Sequence, residues 1–66
     1  MKNNIKIERA IHQLTQEDLA KKIAVSRQTI NAMEANKYVP STILALKIAK
    51  LFSKQVEEIF ILEEDD

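Results

Sequence analysis

The sequence predicts an all-α domain of five short helices, and three observations support this class. Apolar residues recur at helical spacing through most of the 66 residues, rather than alternating as they would in strands. The longer helical stretches are each preceded by a residue that can cap a helix: Asn4, Thr15, Ser26 and Ser41. The chain is also short and has no cysteine, repeat or linker, so residues 1–66 are expected to form one domain.

The first two helices are predicted over residues 5–13 and residues 16–24. Thr15 is a good N-cap for the second, and two acids follow in its first turn, where the helix dipole favours negative charge. The side chains expected in the core are Ile5, Ala10 or Ile11, Leu14 just beyond the first helix, Leu19, Ala20 and Ile23.

The third helix is predicted over residues 27–36, after a break of about two residues. Ile30 and Met33 are three residues apart and would dock this helix on the core. Its opposite face must then point outward with the polar side chains of Arg27, Gln28 and Asn31.

A loop at residues 36–40 separates this helix from the central core helix, predicted over residues 42–52. The residue before Pro40 avoids the helical region, and the helix after it is apolar over most of its circumference. A short fifth helical turn is expected around residues 55–58. The β-prone run that follows consists of Ile59, Phe60, Ile61 and Leu62, and it either packs on the core or pairs with something. A short strand pairing with the N-terminal arm is one way in which it could form an interface between two copies of the chain.

The net charge of zero hides a division along the chain. Residues 1–54 contain all ten lysines and arginines and four acids, which gives +6, whereas residues 55–66 contain six acids and no base, which gives −6. Such asymmetry is typical of a basic surface that binds a polyanion and of an acidic tail, here residues 63–66. Solvated charged faces are the alternative interpretation of the same pattern.

Several classes of protein are excluded by what the chain lacks. Without cysteine it has no disulfide, thiolate zinc site or thiol nucleophile, and a cytoplasmic location is expected. His12 is the only histidine, so no metal site is expected, and no glycine-rich loop or convergent acid pair predicts an enzyme or a cofactor. No apolar run reaches the ~18–20 residues of a membrane span or resembles a signal peptide.

The second and third helices are separated by too few residues to lie antiparallel, so they should cross steeply, as in a helix-turn-helix. The outward face of the third helix would then be free to enter the major groove of DNA. The amides of Gln28 and Asn31 carry the donor and acceptor that match adenine, and Arg27 suits guanine or a phosphate. Backbone N–H groups at the start of both helices, with Lys37 and Tyr38 in the next loop, suit phosphate.

Two segments carry a family resemblance. Residues 14–41 have the sequence L-T-Q-E-D-L-A-K-K-I-A-V-S-R-Q-T-I-N-A-M-E-A-N-K-Y-V-P-S, and residues 45–52 have the sequence A-L-K-I-A-K-L-F. They strongly resemble the Xre family, the Cro and phage-repressor type of helix-turn-helix regulator, and are most similar to its short stand-alone bacterial members. The resemblance implies a compact five-helix, lambda-repressor-like domain that is dimeric on DNA, with its third helix in the major groove of a twofold operator.

By matching position, the resemblance also implies roles for individual residues. Base contacts would come from Arg27, Gln28, Thr29 and Asn31. Phosphate contacts would come from Gln16, Ser26, Asn36, Lys37 and Tyr38, and Gln16 would also brace the third helix. A structural ion pair that ties the first helix to the third would be formed by Arg9 and Glu34.

Three positions depart from the family pattern. The family usually has glycine at Ala24 and often at Asn36, and Ala24 in a left-handed conformation would cost about 1 kcal/mol. Glu8 replaces a common leucine, so the first helix is expected to pack through Ile7 or Ile11 instead.

These observations predict a sequence-specific DNA-binding regulator of transcription, a dimeric repressor that binds a palindromic operator. Because the run after the fifth helix exceeds what one small core is expected to bury, the predicted homodimer interface consists of Ile59, Phe60, Ile61 and Leu62. The alternative is an antitoxin, or another protein-interaction module, that neutralises a partner protein through the same run and the acidic tail. The expected partners are therefore double-stranded DNA and a second copy of the chain, without a cofactor.

Overall fold

The computed structural model describes all 66 residues and consists of five helices and one two-stranded antiparallel sheet. The helices are α1 (Ile5–Ile11), α2 (Gln16–Lys22), α3 (Arg27–Glu34), α4 (Thr42–Leu51) and α5 (Val56–Ile59). The strands are β1 (Lys2–Asn3) and β2 (Phe60–Ile61). The predicted five-helix class is confirmed, and none of the helices is long and apolar enough to cross a lipid bilayer.

The helix starts follow the predicted caps with one exception. The hydroxyls of Thr15, Ser26 and Ser41 each accept a hydrogen bond from the backbone N–H three residues later. Asn4 occupies the cap position of α1, but its side chain makes no cap bond and instead donates to the carbonyl of Glu58 at 3.1 Å. This side chain therefore fastens α1 to α5.

The first four helices all end in the same way, one to two residues earlier than the apolar pattern predicted. Two residues past each helix the chain takes a positive φ, between 55° and 60°, and the residues in that conformation are Gln13, Ala24, Asn36 and Ser53. After α2, for example, the N–H of Ala24 donates to Lys21 and the N–H of Val25 donates to Ala20. This is the Schellman arrangement, which normally uses glycine at the left-handed position. The chain contains no glycine, so residues with a Cβ take this conformation, at a cost that is smallest for Asn36.

Replacing Ala24 with glycine is therefore expected to raise the free energy of unfolding by about 0.5–1 kcal/mol. The left-handed conformation costs alanine roughly 1–2 kcal/mol, and the greater freedom of glycine in the unfolded chain returns only part of that gain. Chemical denaturation measures the difference. The matched control is Ala32→Gly within α3, which should lower stability by about 1 kcal/mol. A destabilised Ala24→Gly variant would contradict the strain at this turn.

The sheet joins the two ends of the chain. Lys2 pairs with Ile61 and Asn3 with Phe60. The amine of Met1 also lies 2.8 Å from a carboxylate oxygen of Asp66. The predicted run is divided in the structure: Ile59 is the last residue of α5, and Phe60 and Ile61 form β2. The run packs on the core through Ile59 and Phe60, and its strand pairs with the N-terminal arm of the same chain.

One apolar cluster forms the core, and α4 contributes more of it than any other helix. The buried residues are Ile5, Leu19, Ala20, Ile23, Ile30, Met33, Leu44, Ile48, Ala49, Phe52, Ile59 and Phe60. Apolar residues surround most of α4, as predicted, but not all of them are buried: Ile43 and Leu46 are exposed.

The predicted packing of α1 was wrong in part. Ile5 is fully buried as expected, but Ile7, Ala10 and Ile11 are exposed, and the second buried residue of α1 is Glu8. The reason is geometric: residues three apart share a helix face, so the orientation that buries Ile5 also turns Glu8 inward.

The predicted dimer interface also needs correction. Ile59 is fully buried and Phe60 is buried within the single chain, where they complete the core beneath α5 and β2. Side chains that fill one core are not free to contact a partner, so the prediction was wrong for these two residues. Ile61 and Leu62 are 42% and 78% exposed and remain available.

Candidate nucleic-acid interface

Helices α2 and α3 form the unit that presents the candidate site. Four residues separate them, and the turn is made possible by the left-handed conformation of Ala24. Both helices bury their apolar faces in the common core, α2 through Leu19 and α3 through Ile30 and Met33. The opposite face of α3 is therefore held outward.

The polar side chains of α3 occupy the surface as the sequence predicted. Arg27, Gln28 and Asn31 are exposed, whereas Thr29 is half-buried. The hydroxyl of Thr29 lies 3.0 Å from that of Ser26, and its backbone N–H donates to the same Ser26 hydroxyl. Ser26 therefore caps the helix and holds Thr29 against its first turn.

An ion pair between Arg9 and Glu34 fastens α1 to α3. The guanidinium Nε donates to Oε2 of Glu34 at 2.7 Å and Nη2 donates to Oε1 at 3.0 Å, while Nη1 donates to the carbonyl of Leu14. Burial by itself would raise the pKa of Glu34, but hydrogen bonds from Arg9 and Gln16 outweigh it and hold the pKa below its usual value. The predicted contact between these two residues is thus present with bidentate geometry.

Gln16, the first residue of α2, connects α2 to two residues of α3. Its Nε2 donates to Oε1 of Glu34 at 3.1 Å, and its Oε1 lies 3.5 Å from Nδ2 of Asn31. Arg9, Glu34, Gln16 and Asn31 therefore form one hydrogen-bonded series, which we call the amide relay. The relay leads from the interior side of α3 to its exposed face.

A polar cavity of about 360 Å³ opens beside the relay, at the first turns of α2 and α3. It is lined by Arg9, Leu14, Thr15, Gln16, Glu17 and Arg27. Arg27 is exposed, so its guanidinium can turn toward an anion at this opening. The cavity is wide enough for a phosphate group and lies next to the side chains of α3 that could contact bases.

The loop after α3 provides the remaining predicted phosphate contacts. Asn36, Lys37 and Tyr38 are all exposed. The side-chain oxygen of Asn36 already accepts a hydrogen bond from Nδ2 of Asn3 at 3.1 Å, and the same Nδ2 lies 2.8 Å from the carbonyl of Met33. Sequence reasoning missed Asn3, because a single asparagine in the N-terminal arm has no local signal of a partner 30 residues away.

Comparison with known proteins assigns the family. A family model described as "Helix-turn-helix" matches residues 5–59, which span all five helices. The chain belongs to the helix-turn-helix family. The site described above is the helix-turn-helix unit itself, α2 and α3, with the parts of α1 and of the following loop that hold it.

Relatives of similar length occur in archaea and bacteria. The chain is 62% identical to an uncharacterized HTH-type transcriptional regulator of Methanocaldococcus jannaschii and 48% identical to one of Bacillus subtilis, over 66 residues and the full length of both chains in each case. It also resembles the crystal structure of a candidate DNA-binding protein from Bacteroides fragilis, with a TM-score of 0.78 and 31% identity over 88% of this chain and 94% of that one. These helix-turn-helix relatives are named as regulators and not as enzymes, which agrees with the sequence prediction that the chain is not an enzyme.

Proposed function

We propose that the protein is a sequence-specific DNA-binding regulator of transcription that inserts α3 into the major groove. The observation that carries the proposal is the outward face of α3, where Arg27, Gln28 and Asn31 are exposed on a helix that Ile30 and Met33 anchor in the core. Paired donors and acceptors on a rigid helix are what base edges in the major groove require. The names of the relatives from Methanocaldococcus jannaschii and Bacillus subtilis support the same function.

The contacts divide into two groups with different consequences. Base contacts come from the exposed side chains of Arg27, Gln28 and Asn31. Thr29 is half-buried and lies at the edge of this contact surface. Phosphate contacts come from Gln16 at the polar cavity, from Ser26 at the N-cap of α3, and from the loop after α3 through Asn36, Lys37 and Tyr38. The excess of six positive charges in residues 1–54 favours binding to a polyanion, and affinity should fall as salt concentration rises.

Substitution of one residue from each group tests this division. Binding sites are first selected from a random pool of duplex DNA, and affinities are then measured on the selected and on scrambled sequences. Gln28→Ala should lose about 1–3 kcal/mol of discrimination at one base pair, while Lys37→Ala should weaken all sequences and reduce the salt slope by about one. Lys47→Ala is the matched control, because this exposed lysine of α4 lies outside the proposed interface. Equal effects of Gln28→Ala and Lys37→Ala on every sequence would contradict the assignment.

The proposed regulator is a homodimer on a palindromic operator, acts in the cytoplasm and represses by covering a promoter. Ile61, in β2, and Leu62, just after it, support the dimer because both are exposed apolar residues and a two-stranded sheet leaves one edge of β2 unpaired. A twofold dimer would place its two α3 helices ~34–36 Å apart, one turn of DNA.

We group the chain with the short stand-alone Xre-type regulators such as the cytolysin repressor. The antitoxin alternative, like the dimer interface, loses two of its four predicted apolar contact residues, since Ile59 and Phe60 are buried.

Sedimentation in the tens of micromolar range tests the dimer. The unmodified chain should sediment as a dimer, and Leu62→Lys should shift it toward the monomer because a charge would replace apolar contact area. Val39→Lys is the matched control, since Val39 is an exposed apolar residue of the loop before α4. A chain that remains monomeric both free and on DNA would contradict the dimer but not DNA binding.

A further inference from the structure

We propose that an open groove between the end of α2 and the second half of α4 is a docking site for the acidic turn, residues 63–66, of a second copy of the chain. The groove has a volume of about 380 Å³. We call it the lysine groove, and it is lined by Lys22, Ile23, Ala24, Lys47, Lys50 and Leu51. The lysines are exposed, while Ile23 is buried and Leu51 half-buried, so positive charge surrounds an apolar floor.

The lysines of the groove have no partner within their own chain. None of the three forms an ion pair. Lys47 and Lys50 are three residues apart on α4, so they share one face of the helix and repel each other. The helix dipole favours a positive charge at Lys50, in the last turn, but not at Lys47. A negatively charged ligand would relieve this repulsion.

The proposed DNA contacts do not account for this positive charge. The polar cavity lies at the first turn of α2, and the remaining contacts lie on α3 and in the loop after it. The lysine groove lies at the last turn of α2 and along α4, which contribute none of those contacts. Its ligand is therefore a separate acidic group.

The acidic turn is an ordered group with two free carboxylates. The N–H of Glu63 donates to Oδ2 of Asp66 at 2.7 Å, and the N–H of Asp66 donates to the carbonyl of Glu63 at 3.1 Å. The amine of Met1 holds the same two side chains, at 3.2 Å and 2.8 Å. Glu64 and Asp65 are left at the tip of the turn, exposed and without an ion pair. A ligand that is ordered before it binds loses less entropy on binding.

The turn that enters the groove must come from a second copy, because the turn of the same chain is held on the other side of α4. Met1, which holds the turn, lines a cavity together with Ala45 of α4. Ala45 and Lys47 are two residues apart, so they project roughly 160° apart around the helix. A turn and a groove on opposite sides of one chain join copies head to tail. Ile61 and Leu62 take no part in this contact.

The contact is expected to be weak, with a dissociation constant in the millimolar range. Each exposed ion pair contributes little, and salt screens it. Such a contact has an effect where copies are held close together, as on neighbouring sites of one DNA molecule, where effective concentrations are millimolar. That consequence rests on the proposed function, whereas the contact itself does not.

Nuclear magnetic resonance with two complementary variants tests the contact without DNA. An isotope-labelled turn variant, Glu64→Gln with Asp65→Asn, keeps only the groove. An unlabelled groove variant, Lys47→Gln with Lys50→Gln, keeps only the turn. Adding the groove variant to about 2 mM should shift the amide signals of Lys22, Lys47 and Lys50 along a saturating curve. Raising the salt concentration from about 0.05 M to about 0.3 M should weaken this binding about 5-fold or more.

Two controls make the test specific. An unlabelled partner that carries all four substitutions should cause no shifts, because it has neither feature. Adding Glu57→Gln to the groove variant should leave binding within about 2-fold, since it neutralises an exposed acid of α5 outside the turn.

An absence of shifts in the groove at about 2 mM partner, or equal shifts with the partner that carries all four substitutions, would overturn the docking. Both results would leave the proposed function standing, since no DNA is present. Conversely, failure of the unmodified chain to select any DNA sequence would remove the proposed function without affecting this measurement.

Discussion

Replacing Arg9 with methionine is expected to lower the free energy of unfolding by about 2–4 kcal/mol, because it leaves the largely buried carboxylate of Glu34 without its partner. The side chains of Arg9 and Glu34 are 15% and 9% exposed, so little water is available to replace the two hydrogen bonds. For a chain of 66 residues this is most of the expected stability of ~3–5 kcal/mol. Urea denaturation followed by circular dichroism measures the loss.

The matched control is Arg27→Met, which removes the same charge from an exposed position of α3. It should change stability by less than about 0.5 kcal/mol, as is usual for surface substitutions. Equal stabilities of the Arg9→Met and Arg27→Met variants would show that the buried pair contributes no more than a surface charge.

The same ion pair predicts how stability depends on pH. The pKa of Glu34 is lower in the folded chain than its ordinary value, so the folded state favours the ionised form. The stabilisation is therefore complete above the ordinary pKa of a glutamate, which the unfolded chain has, and is lost as the pH falls through the lower pKa of the folded state. The stability of Glu34→Gln should consequently decrease less than that of the unmodified chain on acidification below about pH 5. Parallel decreases in both proteins would rule out Glu34 as the source.

Replacing Glu8 with leucine is expected to raise the free energy of unfolding by about 1–3 kcal/mol, because a buried and poorly paired charge would be exchanged for an apolar side chain. The side chain of Glu8 is only 7% exposed, and its Oε1 has no hydrogen-bond partner. The nearest positive or ionisable groups, Lys54 and His12, lie at 3.7 Å and 3.8 Å, beyond hydrogen-bond distance. The Xre family resemblance also implies leucine at this position.

Two further substitutions make this second prediction specific. Glu57→Leu changes an exposed glutamate of α5 in the same way and should leave stability nearly unchanged. Lys54→Met should lower stability, because it removes the closer charge from a carboxylate that stays buried. If Glu8→Leu destabilised the chain, the attraction of Lys54 and His12 would outweigh the cost of burying the charge.

The contrast between Glu34 and Glu8 explains why the two predictions have opposite signs. Glu34 accepts three hydrogen bonds, two from Arg9 and one from Gln16. These bonds replace the hydrogen bonds to water that its carboxylate loses on burial. Glu8 is buried to a similar degree but has only distant charges around it. Burial by itself therefore does not decide whether a carboxylate stabilises this fold, and the number of donors does.

Most of the helix positions could be predicted because their causes are local. Thr15, Ser26 and Ser41 cap their helices because each hydroxyl accepts a hydrogen bond from the backbone N–H three residues later. Both residues of such a bond lie close together in the sequence. The spacing of Ile30 and Met33 likewise indicated which face of α3 is buried. The family glycine position at Ala24 predicted a left-handed residue there, and Ala24 has a φ of 59°.

The candidate site was only partly predictable for the same reason. The exposed residues of α3 and the Arg9–Glu34 pair were expected from position and resemblance, and the pair is present. The resemblance implied that Gln16 braces the third helix, but its partners there, Glu34 and Asn31, lie 18 and 15 positions away, and no spacing rule identifies them in advance. The same holds for Asn3, whose partners are near the end of α3.

The helix class, three of the four caps, the outward face of α3 and the division of charge could all be predicted, because each depends on residues within about one helical turn or on composition. The packing of the helices was needed to show that Glu8 is buried while Ile7 and Ile11 are exposed, and that Ile59 and Phe60 complete the core while Ile61 and Leu62 do not. The physical reason is that an amphipathic pattern shows which residues could be buried. Which of them are buried depends on the elements that pack over them, here the sheet of β1 and β2 and the turn after α4.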